Sequence, residues 1–552
     1  MLVAETQSNH IRANKYIKGL TIPGRKEQLK QQDYADDKET LTNDITSISH
    51  TLQSLDKFGK ASGCKLNPGK TKGLMILNKE TKQRELEFIK RFPQITWNEI
   101  TGLKILGIHF YEDHVMMMNL NWKKVVNDLR KATEQMSERV LSMKSKVTLL
   151  NTVILSIVWY LATVIPMPEN TFKEIEGILR DFIWTDDRYR NIKLAHFYLP
   201  ISKGGLGLLH PKHQSAALRL KYFFYITDKN KDAVWLKYAR YWLTYRLNKY
   251  KNKDWDFLLK IKCAKFNATL PPISTDDIDN TIHISYWDSM GIFPYHYKNM
   301  LNMYITPFYN ELVNLPQYST KQIYNKLILI HYKDHQINTE YTWNVTFKMK
   351  IPWHIIWSHN YSSYAIGPCQ DVLYKLLHNA HTNRAKQTKY RGKKTSRISP
   401  YCKSCSKRNT NKLEDTLHIF ARCPNAIEIW KFYKITYHKL LPGKPYIYEN
   451  VALTLNLVYH KIPKQNKKLA LTLTTIILSE IWRSRNKHER ENIKPNTKKT
   501  ISRINIQLTN IIKAHYNEHK QKETLDMFSD RFTTNEAFCK IENGKLIMTL
   551  PE

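Results

Sequence analysis

Apolar residues recur at helical spacing through most of this chain, and only a few short stretches alternate as strands do. Ile48, Leu52, Leu55 and Phe58 predict one amphipathic helix. From Asn121 to Met143, Trp122, Val125, Val126, Leu129, Ala132, Met136, Val140 and Met143 hold a single stripe. The longest apolar run, Leu149–Pro166, follows, and Phe172, Ile175, Ile178, Leu179, Phe182 and Ile183 then carry the pattern to Trp184. Successive amphipathic helices of this kind predict a bundle. Later helices are expected at Leu373–Leu377, at Leu469–Trp482 and, with a more polar surface, at Lys498–Asn517. Met1–Asn14 is a short amphipathic piece ahead of a strand-and-turn signal at Ile17–Gly24. Strands are expected at Leu74–Leu77, after a Gly/Pro-punctuated basic loop, and at Leu103–Phe110, interrupted by Gly107. The fold class predicted is α+β, predominantly α.

Charge narrows the partners. The chain has 552 residues, with 86 Lys+Arg against 49 Asp+Glu for a net +37, and 32 Tyr, 19 Phe and 13 Trp are spread among the cations. Positive charge interleaved with stacking surface points to nucleic acid, since phosphates supply counter-charge and rings accept unstacked bases. A membrane-surface role would concentrate charge on one amphipathic helix, which this chain does not do. The Leu149–Pro166 run contains Asn151, Thr152, Ser156 and Thr163 and falls short of a comfortable membrane span, so a buried helix is expected and no membrane partner. Seven cysteines in so long a chain make no disulfide framework, and the N-terminus carries no signal peptide. The expectation is an intracellular, reducing compartment without a disulfide-linked partner.

Tyr34-Ala35-Asp36-Asp37 is the first candidate for chemistry. Adjacent carboxylates behind an aromatic and a small residue suit a tight turn between two strands, where an Asp side chain meets a metal and not a core. Paired Mg²⁺ ions held by carboxylates serve phosphoryl transfer, one activating the attacking hydroxyl and the other steadying the leaving oxygens. Alone, the tetrapeptide also reads as a solvated turn, and an Asp-Asp pair recurs at Asp186-Asp187. Its surroundings are more specific. A helix follows, then Ala61-Ser62-Gly63-Cys64-Lys65-Leu66-Asn67-Pro68-Gly69-Lys70-Thr71-Lys72, a strand, and Leu103-Lys104-Ile105-Leu106-Gly107-Ile108. This order of motifs resembles the later palm motifs of a reverse transcriptase, most of all those of non-LTR (LINE-like) retrotransposons.

The resemblance implies RNA-directed DNA synthesis on an RNA template, primed at a nicked DNA target and consuming dNTPs, with nuclear and cytoplasmic localisation. It assigns catalytic Mg²⁺ binding to Asp36 and Asp37, turn shaping to Tyr34 and Ala35, a place near the incoming triphosphate to Lys70, and the primer grip to Leu106 and Gly107. It makes the helices after 114 a thumb, to which Asp181-Phe182-Ile183-Trp184 and Leu199–Leu208 are also similar. Gly204 and Gly205 are expected to permit a turn with φ > 0. Two departures stand out. The family needs an earlier Asp on a separate strand, but only 35 residues precede Asp36, none forms an apolar strand ending in Asp, and Asp33 is too close in sequence. The flanks Lys30-Gln31-Gln32-Asp33 and Lys38-Glu39-Thr40 are polar where the family is apolar. The expectation is a 5′-truncated copy lacking the first catalytic Asp. Its alternative is a catalytically inactive RNA- or DNA-binding remnant with a structural zinc site.

The sharpest local signal lies later. Cys402, Cys405, His418 and Cys423 give Cys-x2-Cys-x12-His-x4-Cys. Two thiolates on a knuckle turn, with an imidazole and a thiolate on or beside a following helix, supply four soft or borderline ligands in tetrahedral reach. That closes a Zn²⁺ shell without an open water position and predicts a structural metal. One of Glu414, Asp415 and Thr416 is expected to orient the other ring nitrogen of His418. The motif, continuing to Pro424 and Trp430, is similar to the zinc-binding region downstream of the polymerase in many non-LTR elements, with Asp415-Thr416 in place of the usual Glu-Thr. Ile481-Trp482-Arg483-Ser484-Arg485-Asn486 also resembles the family's C-terminal segment. Cys64, Cys263, Cys369 and Cys539 read as small buried residues.

The segments expected are a partial palm at 1–114, a thumb-like bundle at 115–225, a helical connector at 226–395, a CCHC zinc-binding region at 396–435 and C-terminal helices at 436–552. Within the connector, Pro271-Pro272 marks a break. The charge run Lys389–Arg397 reads either as a solvated face or as an RNA contact. A host zinc protein unrelated to mobile elements would require the palm motifs to be coincidence.

Overall fold

A computed structural model describes residues 2–21, 28–34, 37–64, 66–76, 85–97, 102–111, 113–184, 191–227, 231, 233–237, 318–332, 337–390, 399–406, 410–443, 446 and 463–551. The chain divides into two compact units. One comprises Met1–Ala132, Leu155–Gly177 and His210–Lys333; the other comprises Thr133–Ile154, Ile178–Leu209 and Asp334–Glu552. The segments 115–225 and 226–395 read from the sequence each contribute residues to both units.

In the first unit, helix Leu2–Ala13 precedes two antiparallel hairpins. Leu20–Thr21 pairs with Gln28–Leu29, and Gln31–Tyr34 pairs with Asp37–Thr40 in the register Gln31↔Thr40 to Tyr34↔Asp37. Helix Ile45–Ser62 begins where Asp44 accepts the Ser47 N–H at 2.7 Å and ends at Gly63, whose φ of 78° no other residue type adopts cheaply. Its buried positions are Ser47, Thr51, Ser54 and Gly59, and the expected apolar stripe is only half-buried. The reason is local pairing: Ser47 Oγ accepts the Lys18 N–H, and Ser54 Oγ accepts from Asn14 Nδ2, each at 2.9 Å.

The region after this helix departs from expectation. Leu74, Met75 and Ile76 lie outside any strand, and the short parallel pairing there is Lys72–Gly73 with Thr96–Trp97. Leu103–Phe110 is not one interrupted strand but a hairpin, Leu103–Ile105 against Ile108–Phe110. Leu106 and Gly107 form its turn at φ 46° and 87°, the doubly positive pattern that matches strand twist in a two-residue loop. Helix His114–Ser137 then buries Trp122, whose indole N–H donates to Pro166 O at 2.6 Å. It stops short of the predicted stripe: Val140 is 92% exposed, and Ser142 caps a new helix, Met143–Leu149, by accepting the Ser145 N–H. The apolar run breaks again at Leu155, before helix Ser156–Val164. Among the described residues no single helix is long and apolar enough to cross a membrane.

The second unit is built around helix Lys464–Glu491. Leu469, Ala470, Leu471, Leu473, Ile476, Ile477 and Leu478 are all buried, so the middle of this helix is buried around its whole circumference and serves as core. Thr472, Thr474 and Thr475 are buried among them, and each returns its hydroxyl proton to the carbonyl four residues back at 2.7–2.8 Å. Helix Gly367–Leu377 packs on it, as do helices Thr497–Gln521 and Lys434–Leu440. Gly204 adopts φ 79° as expected. Gly205 is needed for another reason, because a Cβ there would sit 1.9 Å from Leu199 O. A terminal hairpin, Cys539–Glu542 with Lys545–Met548, turns at the hairpin dipeptide Asn543-Gly544, where only C-terminal helices are expected from the sequence.

Cys369 and Cys539 are buried as expected, but Cys64 is exposed, in the basic loop behind Gly63. Cys263 lies outside the described residues, as do Lys65, Leu77, Asp186-Asp187, Pro271-Pro272 and 391–397 of the charge run.

Candidate metal centre

The four predicted zinc ligands come together. The ligand atoms of Cys402, Cys405, His418 and Cys423 all lie within 4.8 Å of one another, and all four residues are buried. Cys405 Sγ and His418 Nε2 are 3.5 Å apart. A tetrahedral Zn²⁺ with ordinary Zn–S and Zn–N bond lengths spans about 3.5 Å along an S···N edge, so this pair already stands at the required separation. The donor set and spacing fit zinc, which would hold the four side chains as a closed structural centre.

Local backbone chemistry explains why these residues converge. An antiparallel bridge between Tyr401 and Leu413 closes the knuckle, with Cys402 N–H donating to Lys412 O at 2.8 Å. Cys405 follows on the short helix Lys403–Ser406. On the other side, His418–Arg422 forms a π turn, in which the Cys423 N–H reaches back to His418 O at 2.7 Å. That turn accommodates the His-x4-Cys spacing. On an α-helix residues five apart point about 140° away from each other, whereas an i→i+5 turn brings them to one side. Cys423 then sits at the N-cap of helix Pro424–Phe432, where the positive end of the dipole favours a thiolate.

The Cys402 and Cys423 thiols are coupled. The Cys402 thiol is lowered first by the hydrogen bond from Cys423 and then by His418 and the Cys405 N–H, against the opposing effect of burial. Cys423 is pushed well up by its bond to Cys402 and by burial. A bound metal would displace the protons that these thiols share.

The supporting residues differ from the expectation. None of Glu414, Asp415 and Thr416 has a described hydrogen bond to the His418 ring. Asp415 Oδ1 accepts the backbone N–H of His418 at 2.6 Å, and Thr416 donates to Asn379 Oδ1 at 2.6 Å. Glu414, 1% exposed, accepts from Arg485 Nη2 and from the Arg384 N–H at 3.1 Å. Burial raises the Glu414 carboxyl pKa, and the Arg485 guanidinium pulls against it. Arg384 in turn donates to both carboxylate oxygens of Glu489 at 3.1 Å. Lys403 Nζ donates to His488 O at 2.9 Å, and Ser404 Oγ lies 3.0 Å from His488 Nδ1. These contacts anchor the centre to the last turns of helix Lys464–Glu491. They also explain the Ile481–Asn486 motif: Trp482 packs against His381 and Phe420, with Arg485 over its ring. Arg384, Glu489 and His488 carried no signal in the sequence, since each acts through a partner more than 80 residues away.

No family model matches the chain. The chain is similar to the transposon TX1 uncharacterized 149 kDa protein of Xenopus laevis, at 22% identity over 209 residues. It carries distant similarity to a transposon protein. The match covers 38% of this chain and 15% of the relative's length.

The other predicted site residues are placed as follows. Tyr34 and Asp37 end and begin the paired strands of their hairpin, while Ala35 and Asp36, between them, lie outside the described residues. The hairpin is held by polar contacts with helix Leu2–Ala13: Arg12 Nη2 reaches Asp33 Oδ2 at 3.2 Å, and Lys38 Nζ donates to Ser8 Oγ at 2.9 Å. These contacts account for the polar flanks, and they commit the Asp33 carboxylate to Arg12 and to Gln31 Nε2. Lys70 is exposed at the end of the 3-10 turn Pro68–Lys70. Leu106 O accepts from the Tyr160 hydroxyl, and Gly107 is open to solvent apart from the Tyr160 ring at 4.0 Å.

Proposed function

We propose that this chain belongs to the lineage of non-LTR retrotransposon reverse transcriptases and acts by holding RNA or DNA through a zinc-centred C-terminal unit. The Cys402–Cys405–His418–Cys423 cluster carries the reading: a closed, buried, four-ligand site in a strongly basic chain is a structural device of nucleic-acid-binding proteins. The similarity to a transposon protein and the order of the palm-like motifs support it. Zinc in this reading holds the unit together and takes no part in a reaction.

A second reading, RNA-directed DNA polymerisation with Mg²⁺ at Asp36 and Asp37, is favoured by one observation. Antiparallel strands flank Ala35-Asp36 as a metal-presenting turn requires. Asp33, the described carboxylate just ahead of the turn, pairs with Arg12 and does not serve as a third ligand. Losing one ligand from a two-metal site leaves the attacking oxygen unactivated.

Primer extension on an RNA template with dNTPs and Mg²⁺, run beside an Asp36→Ala/Asp37→Ala control, separates the two. The expected result is no extension together with salt-sensitive RNA binding. Extension that disappears in the double variant would establish polymerase activity and overturn the binding-only reading.

A further inference from the structure

A groove of about 650 Å³ opens on the second unit, lined by Tyr364, Lys464, Gln465, Lys468, His515, Glu518, His519, Lys522, Arg531 and Phe532. Its cations come from three helices. Lys464 and Lys468 are i,i+4 on the first turns of Lys464–Glu491. His515, His519 and Lys522 share one face at the end of Thr497–Gln521, and Arg531 closes Leu525–Phe532. Four Lys/Arg side chains face one carboxylate, Glu518, leaving a formal +3 with both histidines neutral. Glu518 is already shared, with Lys522 Nζ at 2.6 Å and His515 Nδ1 at 3.6 Å. Among the described residues no carboxylate forms an ion pair with Lys464, Lys468 or Arg531.

Two features set this groove apart from a solvated charged surface. Helix Lys464–Glu491 begins with Lys464, Lys467 and Lys468 and has no acidic residue in its first turn, so cations stand against the positive end of the dipole. Helix stability alone would select the opposite charge. The groove floor, moreover, is aromatic. Tyr364 and Phe532 lie 4.8 Å apart, the half-exposed His515 ring stacks on Phe532 at 5.0 Å and 27°, and Lys468 Nζ sits 3.7 Å over the Tyr364 ring. Cations above a ring shelf match the two components of a single strand, phosphate and base.

We infer that this groove is a binding site for single-stranded nucleic acid, with Lys464, Lys468 and Arg531 contacting phosphates and the half-exposed His515 ring, which meets Tyr364 edge-to-face, receiving a base. The inference deepens the binding function proposed above and rests on it. It assigns the nucleic acid to a face built by helices outside the zinc motif itself.

The test uses the full zinc-loaded chain and fluorescence anisotropy with labelled oligouridine and oligothymidine across a salt series. Lys464→Ala/Lys468→Ala/Arg531→Ala removes three exposed or half-exposed charges without opening the core. It should weaken binding roughly tenfold to one-hundredfold at 0.1 M salt and reduce the log–log salt slope by about 2. A matched variant, Lys321→Ala/Lys498→Ala/Lys499→Ala, should leave both nearly unchanged, and Lys464→Arg/Lys468→Arg should retain binding. If the wild-type chain binds neither oligonucleotide, the proposed function fails and this inference with it. If the wild type binds and the groove variant matches it in affinity and slope, the groove inference alone is overturned. Competition by polyglutamate as effective as by oligouridine would also overturn it, because the site would then recognise charge without bases.

Discussion

The metal centre and the Tyr34–Asp37 hairpin are both short motifs of ligand-type residues, yet they are held in opposite ways. Around the centre, the supporting charges are buried: Arg485 and Glu414 side chains are 15% and 2% exposed. Around the hairpin, the supporting pair is Arg12–Asp33, with Arg12 45% exposed. A buried pair is costly to break because the survivor is left in low dielectric, whereas an exposed pair returns its charges to water. The first motif is thus locked into a unit that metal and ion pairs stabilise together. The second rests on contacts that solvent can replace.

The largest effect should come from the metal. Cys405→Ser, or chelation of the native chain, should abolish stoichiometric zinc in elemental analysis and remove metal-linked stability on the order of 10 kcal/mol, visible as loss of the cooperative thermal transition of the second unit. A variant that keeps both its transition and full stability without metal would show that ion pairs alone hold the centre.

Next is the buried charge. Glu414→Ala leaves Arg485 unpaired and should cost about 3–5 kcal/mol in denaturant unfolding. Glu414→Gln, which still accepts hydrogen bonds, should cost less. Equal losses would mean that the carboxylate charge, and not the shape or hydrogen-bonding capacity that glutamine keeps, is responsible.

A pH profile tests the same unit differently. Burial holds His378 and His381 at about 3, below the 6.5 of an unfolded imidazole, so the folded state binds fewer protons and stability falls as pH drops from 6.5 towards 3. Asp371 acts in the other direction: burial raises it from 3.8 to about 7, so its contribution is full below 3.8 and is lost as pH rises towards 7. Two imidazoles outweigh one carboxylate where the windows overlap, and acid should destabilise. Thermal melts of the wild type and His381→Asn should diverge less at pH 5 than at pH 7, with the variant's pH slope flatter. A steeper slope in the variant would refute the assignment.

The smallest effect belongs to the hairpin. Arg12→Ala should cost no more than about 1 kcal/mol, with a double-mutant cycle to Asp33→Asn giving a coupling of a few tenths. A coupling as large as that of Glu414 with Arg485 would erase the contrast.

Much of the second unit was legible beforehand. The zinc ligands, the helix Gly367–Leu377 and the core helix around Leu469–Trp482 follow from spacing and apolar pattern, because ligand chemistry and helical period are local properties. The stripe through Met143 misled, since a run of apolar residues at helical period does not reveal that Ser142 starts a new helix. The burial of Ser47, Thr51 and Ser54 was equally hidden, because a polar residue becomes a core residue only when a partner such as Asn14 or the Lys18 N–H arrives to satisfy it.

By itself, then, the amino-acid sequence determined the helical character of this protein, its strongly positive charge and the four Cys and His residues of the candidate metal centre, all of which depend on composition and near neighbours. Only the tertiary structure decided the π turn that swings Cys423 beside His418, the Glu414–Arg485 lock and the cationic groove. Each of these depends on groups brought together by packing or by a backbone departure that costs nothing to encode and leaves no pattern to read.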